Sequence, residues 1–164
     1  EAARAEEAAR VAAAEAAKAE QQARAAQDSA ASALASLPDV DFSVGKEAFI
    51  STWTDRIDAY LAGSPLAGQG ATFATAAWDY GVDPRWSPAI SNTESSKGLY
   101  CSGSCNAWGW GGCSWGSWEE AIRDHVAGLA RGYGYTISVD AAKKYCPPNW
   151  EHWYNATLAQ MNMI

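Results

Sequence analysis

The sequence has no run approaching the ~18 consecutive apolar residues of a membrane-spanning helix, so no span is expected in it. It is poor in positive charge. Twelve Lys and Arg stand against 19 Asp and Glu, for a net charge of −7, and the basic residues form no cluster. A phosphate backbone or an anionic lipid surface finds nothing here to neutralise it, so neither nucleic acid nor a membrane surface is an expected partner. Residues 1–36 lack glycine and proline, so nothing in them breaks a helix. The chain opens on Glu1 rather than Met and shows no signal-peptide pattern, which reads as a processed product or a fragment.

Cysteine is absent from the first hundred residues and then appears four times, as Cys101, Cys105, Cys113 and Cys146. The spacing Cys101-x3-Cys105-x7-Cys113, with Cys146 or His125 as a fourth ligand, fits no common zinc template, so disulfides are favoured over a metal site. Neither a metal nor a cofactor is expected. Nine tryptophans are far above ordinary usage. An acidic, Trp-rich chain with an even number of cysteines suggests a secreted protein that handles flat, uncharged surfaces such as sugar rings.

Half of residues 1–36 are alanine, which predicts a helix ~54 Å long. Glu6 with Arg10 and Glu20 with Arg24 have favourable i,i+4 spacing. Only Val11, Leu34 and Leu37 are larger apolar residues, too few to complete a core. Residues 1–37 are therefore expected to form a stalk or coiled-coil segment, open to self-association through residues 1–36. Pro38 marks the boundary with a folded domain over 38–164.

Within that domain Phe49, Trp53, Ile57 and Leu61 recur every four residues and predict an amphipathic helix stopped by Gly63. A second helix over about 69–80 ends at Gly81. Asp83-Pro84 and Ser87-Pro88 are two start signals for a third. Ser117-Trp-Glu-Glu120 is a capping box that opens a helix ended by Gly132. Tyr133 to Ser138 reads as a short strand or turn, followed by a short helix over 139–145. Pro147-Pro148 breaks that helix, and a last one carries Trp150, Trp153, Tyr154, Leu158 and Met161 inward. The expected domain is mainly α, with a short irregular lobe rich in Gly and Trp.

The chemistry converges on Ser91-Asn-Thr-Glu94-Ser-Ser-Lys-Gly98. Glu94 stands where an apolar helix (Ala89, Ile90) meets a loop that carries three cysteines and Trp108, Trp110, Trp115 and Trp118. An ordinary helix-end glutamate is solvated, whereas one walled by aromatics is costly to ionise and holds a proton for a glycosidic oxygen. Glu120 is committed to the capping box, and Glu119 and Asp124 are expected to face water. A second catalytic carboxylate is thus missing, and a lone acid/base suffices only when the substrate brings its own nucleophile. His125 reads as a surface or core histidine. With the cysteines paired, a cysteine peptidase has no nucleophile. Asn155-Ala-Thr157 is a glycosylation sequon inside a helix and is read as coincidence.

An ordered set of segments carries a resemblance: Ser64-Pro-Leu-Ala-Gly68, Phe73-x2-Ala-Ala77-x3-Gly81-Val-Asp-Pro84, Pro88-Ala-Ile90-x3-Glu94-Ser-Ser96 and Asn106-Ala-Trp-Gly109. Over residues 44–164 it is similar to the lysozyme-like peptidoglycan hydrolases, in particular glycoside hydrolase family 73 glucosaminidases and soluble lytic transglycosylases. Trp118-Glu-Glu-Ala-Ile-x2-His125-Val-x2-Leu129 resembles the helix after the β-lobe in family 73. The resemblance implies a lysozyme-like fold and cleavage of peptidoglycan glycan strands outside the cytoplasm, secreted or at the cell wall. It implies Glu94 as general acid/base, Asn106, Trp108 and Trp110 lining the sugar cleft, and Tyr133 or Tyr135 opposite the glutamate. It also favours disulfides Cys101–Cys146 and Cys105–Cys113. The lobe departs from the family pattern: only Gly111-Gly-Cys-Ser-Trp-Gly116 stands where family 73 places a longer hairpin with its second carboxylate.

Two other readings belong to different classes. One is a non-catalytic glycan-binding or wall-anchoring module that uses the tryptophans. The other is an assembly domain whose partner element is the N-terminal helix.

Overall fold

The computed structural model describes residues 2–164, which form seven α-helices and no strand. They are α1 (Ala2–Ala35), α2 (Lys46–Leu61), α3 (Gly70–Tyr80), α4 (Trp86–Ser95), α5 (Trp118–Gly132), α6 (Val139–Tyr145) and α7 (Trp150–Met161), with a single 3₁₀ turn at Pro147–Asn149 before α7. The segment Tyr133–Ser138 is turns and bends.

Helix α4 is the central one. Trp86, Ala89 and Ile90 are wholly enclosed, and Ser87, Pro88 and Ser91 are buried with them. The small hydroxyls of Ser91 and Ser95 can be buried because each donates to a backbone carbonyl. Of its two start signals the first prevails: Asp83 Oδ1 accepts the backbone N–H of Arg85, and the helix runs from Trp86. Pro88 fits in the first turn, where its missing N–H would have had no partner anyway.

Helices α7 and α5 pack against α4, and the remaining helices build outward from them by their apolar stripes. Helix α2 packs on α3, α3 on α5 and α4 on α7, and α7 also carries α6 and the end of α1. Phe49, Ile57 and Leu61 of α2 are buried as their four-residue spacing demands. Ser117 caps α5 by accepting the N–H of Glu120, whose own carboxylate reaches back to the N–H of Gly116.

Helix α1 is exposed along most of its length, but its last turns are not free. Ala30 and Leu37 are buried, and Ala33 and Leu34 pack against the core. The buried hydroxyl of Tyr154 on α7 donates to Ala30 O at 2.6 Å. Beyond the helix, Arg85 forks onto Asp83 with two bonds of 2.8 and 2.9 Å and spends a third on Pro38 O at 2.8 Å. Pro38 ends the helix as expected, yet the boundary does not decouple it: small alanines let α1 approach α7 closely enough to dock without large side chains. Along the exposed part, Arg24 pairs with Glu20 at 2.7 Å, while Arg10 pairs with Glu7 rather than Glu6. Such exposed pairs contribute about 0.3–0.5 kcal/mol each.

Candidate active site

Glu94 occupies the last turn of α4 and is half-buried. Directly after it the chain reverses: Ser96 and Lys97 both take left-handed backbone angles (φ 53° and 59°), conformations that cost a non-glycine residue about 1 kcal/mol or more. Ser95 holds the reversal together. Its hydroxyl donates to Ala107 O at 2.7 Å and accepts the N–H of Gly98 at 2.9 Å. The serine after the glutamate thus ties the end of α4 to the Asn106–Trp110 segment.

Two residues flank the carboxyl group itself, one by a hydrogen bond and one by close approach. The indole Nε1 of Trp153, on α7, donates to Glu94 Oε1 at 2.7 Å. On the other side lies Gly109, where a Cβ would stand 2.6 Å from Glu94 Oε2. Gly109 also has φ +59°, so glycine is required there twice over. Burial pushes the pKa of Glu94 up, and the Trp153 bond opposes this only in part. The negative end of the α4 dipole acts in the same sense as burial.

Gly109, Trp110, Gly111, Cys113, Tyr133 and Tyr145 line an open cavity of about 400 Å³ beside this carboxyl. Trp110 can lie flat along α5 because Gly128 has no side chain: a Cβ there would meet the indole at 2.6 Å. Tyr133 and Tyr145 stand 5.7 and 5.6 Å from Trp110, ring centre to ring centre. The cavity is therefore an aromatic trough, and Gly109, which packs against the Glu94 carboxyl, forms part of its wall. No Asp or Glu lines it among the described residues. Glu119 accepts from Gln69 and Asp124 from the Trp115 indole, both on the exposed surface.

The structure brings together Glu94, Trp110 and Tyr133, and separates the other expected cleft residues from them. Asn106 is buried and its amide is used up in shaping the loop. Its oxygen accepts the N–H of Trp108 and of Trp110, and its nitrogen donates to Cys113 O. Trp108 is a core residue with no exposed surface. It donates to Ser87 O and stacks on His125 with ring centres 4.9 Å apart. Tyr135 faces a different cavity, of about 250 Å³, shared with Leu34, Pro38 and Arg85. Gly134, at φ 108°, reverses the chain between the two tyrosines and sends their rings to different places.

Two members of the site were missed in the sequence. Trp153 was placed on an inner helix face but not opposite Glu94. Its register is set by α7 lying along α4, where Thr157, one turn on from Trp153, meets Thr93 at 2.9 Å. That bond also buries the sequon threonine. Tyr145, at the end of α6, had no sequence signal at all. No disulfide joins the four cysteines among the described residues. Cys101 and Cys113 are exposed, Cys105 and Cys146 half-buried.

Comparison of the chain with protein-family models, with curated proteins and with solved structures finds no match.

Proposed function

We propose that this protein cleaves the glycan strand of bacterial peptidoglycan at a glycosidic bond between N-acetylated amino sugars. The observation that carries the reading is the Glu94 carboxyl, made reluctant to ionise by burial and packed against Gly109 in the wall of an aromatic trough. Its proton passes to the glycosidic oxygen as the bond to the anomeric carbon breaks, leaving an oxocarbenium-like sugar and a Glu94 carboxylate. That carboxylate then takes a proton from the attacking hydroxyl, which restores the acid. With no carboxylate among the residues that line the trough, the attacking hydroxyl comes from water or from the substrate itself. Trp110, Tyr133 and Tyr145 offer faces on which pyranose rings stack.

The motif order from Ser64 to Gly109 supports the peptidoglycan substrate class, and with it a place outside the cytoplasm. Lysozyme-like topology is part of the same proposal. Purified cell walls are the test substrate. The wild-type chain should clear their turbidity, and Glu94→Gln, which keeps the shape but has no proton to give, should not. Clearing by a folded Glu94→Gln variant would overturn the assignment of the acid. Binding to walls without clearing by the wild type would favour a glycan-binding module instead.

A further inference from the structure

We propose that His125 is a positioning residue for the Glu94 carboxyl, acting through Tyr145, which reaches both of the residues that flank that carboxyl. The inference rests on the reading of Glu94 as the acid, and it concerns residues that do not line up in the sequence.

His125 lies on α5 with no exposed surface. Its Nδ1 is 2.8 Å from Ser87 Oγ and its Nε2 is 3.2 Å from Tyr145 Oη. Tyr145 donates its single hydroxyl proton to Trp108 O at 2.6 Å. The phenol oxygen can therefore only accept from His125, which places the imidazole proton on Nε2 and makes Nδ1 the acceptor for the Ser87 hydroxyl. One neutral tautomer satisfies every bond in the chain. Burial keeps it neutral, since it pushes the pKa of His125 well below the usual histidine range. Trp108 stacks on one face of the ring and Trp110 meets it edge-on at 4.7 Å.

Tyr145 converts this fixed point into a grip on Glu94 from two sides. Its hydroxyl pins the carbonyl of Trp108, the peptide that leads into Gly109 beneath Glu94 Oε2. Its ring stacks on Trp153 at 4.7 Å and 24°, and Trp153 donates to Glu94 Oε1. Both contacts of the carboxyl thus lead back to one tyrosine, and the tyrosine leads back to His125. The tyrosines that line the trough, Tyr145 and Tyr133, are both raised by burial and neutral.

The test follows two nuclear magnetic resonance signals through a pH titration of the full chain: the Trp153 indole N–H and the Glu94 carboxyl carbon. In Tyr145→Phe the ring remains but the hydroxyl is gone, and in His125→Phe the whole donor is gone. Both variants should shift the Trp153 signal upfield and raise the Glu94 midpoint. They should also lower kcat on cell walls about ten- to hundredfold, with KM within about twofold. His125→Gln, whose amide can still donate toward Tyr145, should recover part of the Trp153 shift. An unchanged Trp153 signal and Glu94 midpoint in Tyr145→Phe would overturn the proposal, even if His125→Phe failed to fold. The two signals need no turnover, so a wild-type chain inactive on walls would count against the proposed function and leave this test standing.

Discussion

Trp153 and Glu94 lie 59 residues apart in the chain and 2.7 Å apart in the fold, indole nitrogen to carboxylate oxygen. The bond favours the ionised acid, while burial, the larger influence, favours the protonated one. Trp153→Phe removes the opposing influence alone. The Glu94 pKa should then rise further, because the bond that favours the ionised form is gone. A general acid must be protonated, so activity falls as pH rises through its pKa. The alkaline limb of kcat against pH should move upward in Trp153→Phe; a limb that stayed in place or moved down would contradict the geometry.

Glu94→Gln should separate activity from stability. Loss of a general acid lowers the rate about 10²- to 10⁴-fold. The same change should raise the melting temperature at neutral pH, because a carboxyl whose pKa is raised by folding stabilises the fold only while protonated. That stability is present below the ordinary value of 4.5 and is lost as pH rises through the higher folded value. The advantage of the glutamine variant should therefore shrink toward acid pH, read by calorimetry at several pH values.

Gly128→Ala tests the trough wall. A methyl group 2.6 Å from the Trp110 indole forces the ring off α5. Affinity for glycan fragments should weaken about tenfold, in line with a lost stacking face, with less effect on kcat. Tryptophan fluorescence would report the displaced ring.

Truncation tests the docking of α1. A chain starting near Arg24 should melt as the longer one does, since the residues removed are exposed. A chain starting at Asp41 loses Ala30, Leu34 and Leu37 and the partners of Tyr154 and Arg85. It should lose about 3 kcal/mol and melt about 10 °C lower. Equal melting of the two chains would show that the contacts with α1 carry no weight.

For the cysteines, the proposed pairing is Cys101 with Cys146 and Cys105 with Cys113. Non-reducing peptide mapping of protein secreted into an oxidising medium should recover those two linked pairs. A Cys101–Cys105 link would refute the pairing.

Much of this protein was legible in the sequence because local rules decided it. The four-residue spacing of Phe49, Trp53, Ile57 and Leu61 dictates a helix and its buried face whatever it packs against. Ser117 before a Glu three positions later dictates the start of α5. The apolar Ala89-Ile90 pair before Glu94 and the aromatic loop after it allowed the glutamate to be singled out by its surroundings. What only the tertiary structure decided is which aromatic faces which. Trp108 and Trp110 differ by two positions, yet a hydrogen bond to Ser87 O draws one into the core while the missing side chain of Gly128 leaves the other a slot along the trough. Tyr133 and Tyr135 part at Gly134 in the same way. Trp153 reaches Glu94 only because α7 lies along α4 in one register, and Tyr145, at the end of α6, stacks on that indole. Helix spacing is a property of neighbours in the chain. The partners of a carboxyl are set by how separate helices pack, and no local pattern encodes that distance.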